Sequence, residues 1–177
     1  MTRRILLTGG PGFGKSSIIT ELEHRGLVVF HEISRQIIQD SLAHNLRQTP
    51  WENIARFSEL VEEGRIAQHR QGEGLVSFYD RGIPDIAGFL VKDKQMVTPH
   101  LEQLCNEYRY FHTVFITPPW EAIYQRDHER HEDFMSAIKV HKALEQVYAN
   151  LGYQMIPVPM GSIRQRADFI LNHPVLR

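Results

Sequence analysis

Eight residues near the start of the chain, Gly9-Gly10-Pro11-Gly12-Phe13-Gly14-Lys15-Ser16, have the types and spacing that hold a polyphosphate. Glycine takes positive φ without a Cβ penalty, so the backbone curls its N–H groups around phosphate oxygens. Lys15 supplies a point charge for the β- and γ-phosphates, Ser16 a hydroxyl for Mg²⁺, and Ser17 extends the same helix start. The positive end of the helix that follows points at the same anion. An apolar strand pattern before the loop and a helical one after it are the context this motif requires. The chemistry implied is binding of a nucleoside triphosphate with its metal, and the cofactors expected are ATP and Mg²⁺.

Such a site needs a carboxylate near the metal, at the end of an apolar strand. Leu75-Val76-Ser77-Phe78-Tyr79-Asp80 provides it, which makes Ser16 and Asp80 the expected metal-facing pair. A turn-capping role for Asp80 is the alternative, since Gly82 and Pro84 follow. Arg81 stands next to it, within expected reach of the phosphates. Asp85 reads as a cap or first-turn residue. Glu32 closes the second strand with Arg35 one helical turn on; an i,i+3 surface pair and a functional carboxylate are equally open readings there. Arg126 and Arg130 share a helical face within a dense run of charge. His128, His131 and His141 lack a further ligand at metal-binding spacing, so no metal is expected there.

The elements that must position these groups alternate between short apolar runs and longer helical patterns, the signature of an α/β chain with a parallel sheet. Strands are expected at 3–8, 27–31, 75–79, 111–117 and 153–158. Helices are expected at 15–24 and 34–45, from Thr98-Pro99, over most of 120–150, and after the capping box Ser162-Ile163-Arg164-Gln165. A second capping box, Thr49-Pro50-Trp51-Glu52, predicts a helix starting there and running to Gln71.

The 177 residues suit one domain, expected to span 1–177 with a lid at about 118–135. Net charge of −1 argues against a nucleic-acid-coating role, so no nucleic-acid partner is expected. Ile5-Leu6-Leu7 is too short for a signal segment, and no apolar stretch is long enough to span a membrane. Cys105 is the single cysteine, which excludes an intrachain disulfide; it reads as a buried small side chain in a reduced, cytoplasmic protein.

The chain resembles the small P-loop kinases of nucleosides and nucleoside monophosphates. It is most similar to the predicted ATPases related to the nicotinamide-riboside kinase domain of the bacterial NAD regulator. The resemblance is carried by residues 8–16, His31 to Arg35, Tyr79 to Asp85, the stretch 124–134, Leu151-Gly152-Tyr153 and Arg166 to Ile170. It implies a three-layer P-loop NTPase fold, a five-stranded parallel sheet flanked by helices, with an arginine-bearing lid. It implies further that Glu32 takes the proton from an acceptor hydroxyl, with Arg35 or Arg81 orienting the acceptor. Arg126 and Arg130 would close over the transferring phosphoryl group, and the loop 158–162 would contact the base. Two functions stand side by side. One is a kinase acting on a small-molecule, nucleoside-like hydroxyl; the other is an ATPase or nucleotide-dependent switch acting on a protein partner.

Overall fold

The computed structural model describes residues 2–124 and 133–177. Its elements, in chain order, are β1 (Arg3–Thr8), α1 (Lys15–His24), β2 (Val28–Phe30), α2 (Ile33–His44), α3 (Ile54–Gln71), β3 (Val76–Asp80) and α4 (Ile83–Lys92), then α5 (Pro99–Glu107), β4 (Thr113–Ile116), α6 (Phe134–Asn150), β5 (Gln154–Pro157) and α7 (Ile163–Asn172). Single 3₁₀ turns occupy Glu121–Ile123 and Pro174–Leu176. The strands form one parallel five-stranded sheet in the order β2-β3-β1-β4-β5. Helices flank it on both faces, which is the architecture expected from the alternating pattern.

β1 sits at the centre, and alternation along it builds both layers. Ile5 and Leu7 join Ile18, Ile19 and Leu22 of α1 and Ala167 and Ile170 of α7 in one core. Leu6 points the other way, against Tyr79, Val140, Leu144 and Tyr148. Each such fully buried aliphatic side chain contributes roughly 1.5–3 kcal/mol. A third cluster joins α4, α5 and α6 and includes Cys105, whose thiol is pushed up to about 12 by burial, in keeping with an inert core role. α4 and α6 approach so closely at Gly88 that a Cβ there would strike Leu144.

Besides the helix expected over most of 120–150, which is described only from Phe134 with Asp133 as its cap, two elements depart from the sequence pattern. α3 begins at Ile54, capped by Asn53, whose Oδ1 accepts from Arg56 N at 3.1 Å. The Thr49 hydroxyl instead donates to Glu52 Oε2, and Glu52 N and Asn53 N bond Thr49 O, so this box closes a turn and the helix starts later. The second departure is α4, for which the sequence carries no helix expectation. Its segment is apolar nearly all round, which removes the helical period that would mark it. The other box behaves as expected: Ser162 and Gln165 cap α7 reciprocally.

Candidate active site

In a parallel sheet ligands collect beyond the carboxyl ends of the strands, where strand order reverses. Here that place lies around β1, flanked by β3 and β4. The register sets Leu7 against Asp80, so Asp80 leaves the sheet beside the start of the glycine-rich loop. Arg81 N donates to Leu7 O at 2.9 Å and Thr117 N to Thr8 O at 2.9 Å, pinning the loop's stem from both sides.

The loop then turns as its glycines permit. Gly9 has φ 131, and a Cβ there would meet Thr117 Oγ1 at 2.5 Å; Gly14 has φ 80 and caps α1. Neither position accepts a side chain without strain. Phe13 is fully buried, its ring 5.9 Å from those of Phe134 and His141, so it anchors the loop from beneath. Pro11, Gly12, Gly14, Lys15, Ser16 and Ser17 line a cavity of about 1050 Å³, with Gly9, Gly10 and Phe13 behind them. That volume is at the upper end for a ligand site and suits two reactants.

Lys15 is 4% exposed and donates to Gly10 O at 2.8 Å. Burial, then the neighbouring Arg81 cation, lowers its ammonium from 10.5 to about 7, against the pull of Asp80, Glu32 and Asp85. Ser16 Oγ donates to Asp80 Oδ2 at 2.7 Å, which brings the two expected metal-facing residues together. Asp80 Oδ1 is buried and meets no hydrogen-bond donor among the described residues. Burial and the nearby Glu32 charge raise the Asp80 carboxyl. A carboxylate oxygen without a partner, beside a serine hydroxyl and below a phosphate cradle, is a fitting donor set for Mg²⁺. Asp80 is thus the strand-end carboxylate rather than a turn cap.

Glu32 and Arg81 come together, although neither spacing nor motif joins them. β2 pairs with β3 through Phe30 and Tyr79, so Glu32 emerges alongside Arg81. Arg81 Nε donates to Glu32 Oε1 at 2.8 Å and Nη1 to Asp85 Oδ1 at 2.9 Å, and its guanidinium lies over Phe89. Arg81 is 2% exposed and has φ 71, a strained left-handed backbone for a non-glycine residue. Arg81, expected beside the phosphates or the acceptor, grips Glu32 and Asp85 on the cavity wall. Burial alone would raise the Glu32 carboxyl; Arg81, Lys15 and Arg65 together hold it below its usual range, so it is ionised.

Asp85 is the hub behind this pair. It is fully buried and accepts from Thr8 Oγ1 (2.7 Å), Arg81 Nη1, Gly82 N (2.9 Å) and Tyr148 Oη (2.6 Å). The cap role expected of it is present in the Gly82 bond; its ties to β1 and α6 are not visible in sequence. The carboxyl, which burial would raise, is held below its ordinary value by Arg81, Arg65 and these hydrogen bonds.

Beyond the loop, Trp120, Gly161, Ser162, Ile163 and Arg166 line the cavity, next to the segment expected to meet a base. Arg166 donates through Nη2 to Phe13 O at 2.9 Å and lies 5.6 Å from the Trp120 ring centre. The far end is lined by α2, α3 and α4, including Ile38, Phe57, Val61, Ile86 and Phe89, with Arg35 and Arg65. Arg65 has no sequence signal, because an arginine in a charged helix reads as solvent-facing. Arg126 and Arg130, with His128 and His131, lie outside the described residues, in the middle of the expected lid.

A nucleotide-sized cavity on a P-loop, under a parallel sheet of this order, defines an ATP-dependent P-loop kinase or NTPase. The sequence matches the AAA domain family over residues 4–166, and the chain belongs to that family. No protein of curated function matches it. Among solved structures, deoxyadenosine kinase from M. mycoides with bound dATP is similar at TM-score 0.68 and 15% identity, covering 96% of this chain and 97% of that one. The same enzyme with dCMP and dCDP gives 0.67 and 17%, with the same coverage. Thymidylate kinase from Candida albicans gives 0.65 and 15%, covering 96% of this chain and 89% of that one. At these identities the likeness shows a shared fold. No helix among the described residues is long and apolar enough to cross a membrane.

Proposed function

We propose that the protein transfers the γ-phosphoryl group of Mg-ATP to a hydroxyl of a small, nucleoside-like acceptor. The observation that carries this reading is Glu32: an ionised carboxylate, held by Arg81, on the wall of the same cavity that the phosphate loop lines. The cavity's outer half, where apolar side chains and charged ones mix, is large enough for a second reactant beside the nucleotide. Kinase folds among the solved relatives support the same class.

Ser16 and Asp80 would hold Mg²⁺, which neutralises charge on the triphosphate. The protein's own residues do the rest. The loop N–H groups and Lys15 orient the phosphates. Glu32 accepts the proton of the acceptor hydroxyl as its oxygen bonds to the γ-phosphorus. The bond to the β–γ bridging oxygen breaks, and ADP leaves. Arg81 keeps the Glu32 carboxylate aimed, and Asp85 keeps Arg81 aimed.

A second reading, an ATPase or switch acting on a protein partner, draws on the exposed Trp51 and Ile54 at the cavity's wall. One assay separates them. The protein is incubated with labelled ATP and a panel of nucleosides, neutral ones and ones bearing a carboxylate or phosphate, and ADP and phosphorylated product are measured together. Equal amounts of both are expected; ADP without product would transfer the assignment to the ATPase.

A further inference from the structure

Arg65 is a cavity cation whose hydrogen bonding nothing above accounts for. It lies mid-way along α3, is 2% exposed, and lines the cavity. Its Nε and Nη1 are closed to solvent and meet no acceptor among the described residues. Arg81 is buried to the same degree but holds two carboxylates, and Arg166 holds a carbonyl. A buried guanidinium with two nitrogens lacking an acceptor is costly to keep, and the cost falls when a ligand supplies one.

The surroundings tell what that ligand brings. Along α3, Phe57, Ser58 and Val61 precede Arg65 at helical spacing, and Ile86 and Phe89 of α4 also line the cavity. The result is an apolar slot with a cation on its wall. Arg65 acts electrostatically on Glu32 and Asp85, on the acceptor side. Both of those carboxylates are already engaged by Arg81. Arg35 and Lys92 line the same end of the cavity, and Asp93 is paired with Lys92 at 2.9 Å. A neutral acceptor would leave Arg65 as it stands.

We propose that the acceptor is anionic: it carries a carboxylate or phosphate group that docks on Arg65, while its hydroxyl faces Glu32. This rests on the phosphoryl-transfer reading above for the role of the bound molecule, though not for its binding. Arg65 is then the residue that selects the acceptor.

The test separates the two. The full protein, saturated with a non-hydrolysable Mg-ATP analogue, is titrated calorimetrically with uridine, orotidine and uridine 3′-monophosphate. These share a free 5′-hydroxyl and differ in having no anion, a carboxylate or a phosphate. At least one anionic member is expected to bind roughly tenfold or more tightly than uridine, and which one it is distinguishes carboxylate from phosphate. The preference should vanish in Arg65→Gln and persist in part in Arg65→Lys, with affinity for the ATP analogue unchanged in both. If no anionic member binds more tightly than uridine, or if the preference survives Arg65→Gln, the proposal is overturned. Tight, Arg65-dependent binding of an anion without phosphorylated product from Mg-ATP would support the anion site and remove the kinase reading instead.

Discussion

The two halves of the cavity are built by different means. On the donor side, one unbroken segment, residues 9–17, supplies nearly every group, and its geometry follows from glycine conformations and a helix start. On the acceptor side, Glu32 follows β2, Arg65 sits on α3, Arg81 follows β3 and Asp85 begins α4. Glu32 is held by Arg81 of the next strand, and Asp85 by Thr8, Arg81 and Tyr148, partners that lie far apart in the chain. The donor half is thus a general device for a triphosphate tail. The acceptor half carries what is particular to this protein, and its groups are held by mutual contact rather than by local backbone.

The comparison breaks most visibly at Lys15. Lys15→Ala should lower nucleotide turnover by about 10³-fold or more while the fold stays intact, as ADP release and circular dichroism would report. Unchanged turnover would mean that the loop is not the phosphate site. Glu32→Gln should leave nucleotide affinity intact and reduce phosphoryl transfer by roughly 10²–10³-fold, which separates the halves kinetically. Full transfer by the Glu32→Gln protein ends the proton-acceptor role.

Asp85→Ala tests whether the acceptor half is held by contact. Removing one partner of a buried ion pair typically costs about 3–5 kcal/mol, read as a shift in urea midpoint. Because the folded Asp85 carboxyl titrates below its unfolded value, its contribution is complete above the ordinary carboxyl range. It is lost as pH falls through the lowered native value. A loss under about 1 kcal/mol would show the hub to be dispensable.

A finer contrast concerns Lys15 itself. Its ammonium is disfavoured in the fold, with a value of about 7 against 10.5 in the unfolded chain. The unfolded state therefore binds more protons between these values, and this group makes stability rise with pH across that interval. A bound triphosphate restores the charge. Nucleotide binding at about pH 8 should then take up close to one proton, seen by calorimetry in two buffers of different ionisation enthalpy and absent in Lys15→Met. The smallest expected effect is at Asn53: Asn53→Ala should cost about 1 kcal/mol, confirming it as the true cap of α3.

Much of this was legible in the residues. The strand–loop–helix unit, the carboxylate at Asp80 and the α7 box are local patterns, and local patterns survive folding when no competing contact is offered. The box at Thr49 failed because Thr49 and Glu52 bond each other through side chains, leaving Asn53 to cap. α4 was hidden because a helix packed on several sides loses its polar stripe. The ion pairs of Arg81 with Glu32 and Asp85 were not legible, since pattern gives proximity along the chain and not direction in space.

By itself, then, the sequence determined where the glycine-rich loop lies and how it turns into its helix, because those residues are contiguous and their backbone angles are set by residue type. Only the tertiary structure decided that Glu32 stays charged against Arg81, that Asp85 ties β1 to α6, and that Arg65 is buried with Nε and Nη1 meeting no acceptor among the described residues. Burial and pairing are sums over segments dozens of residues apart, and no short window of sequence contains them.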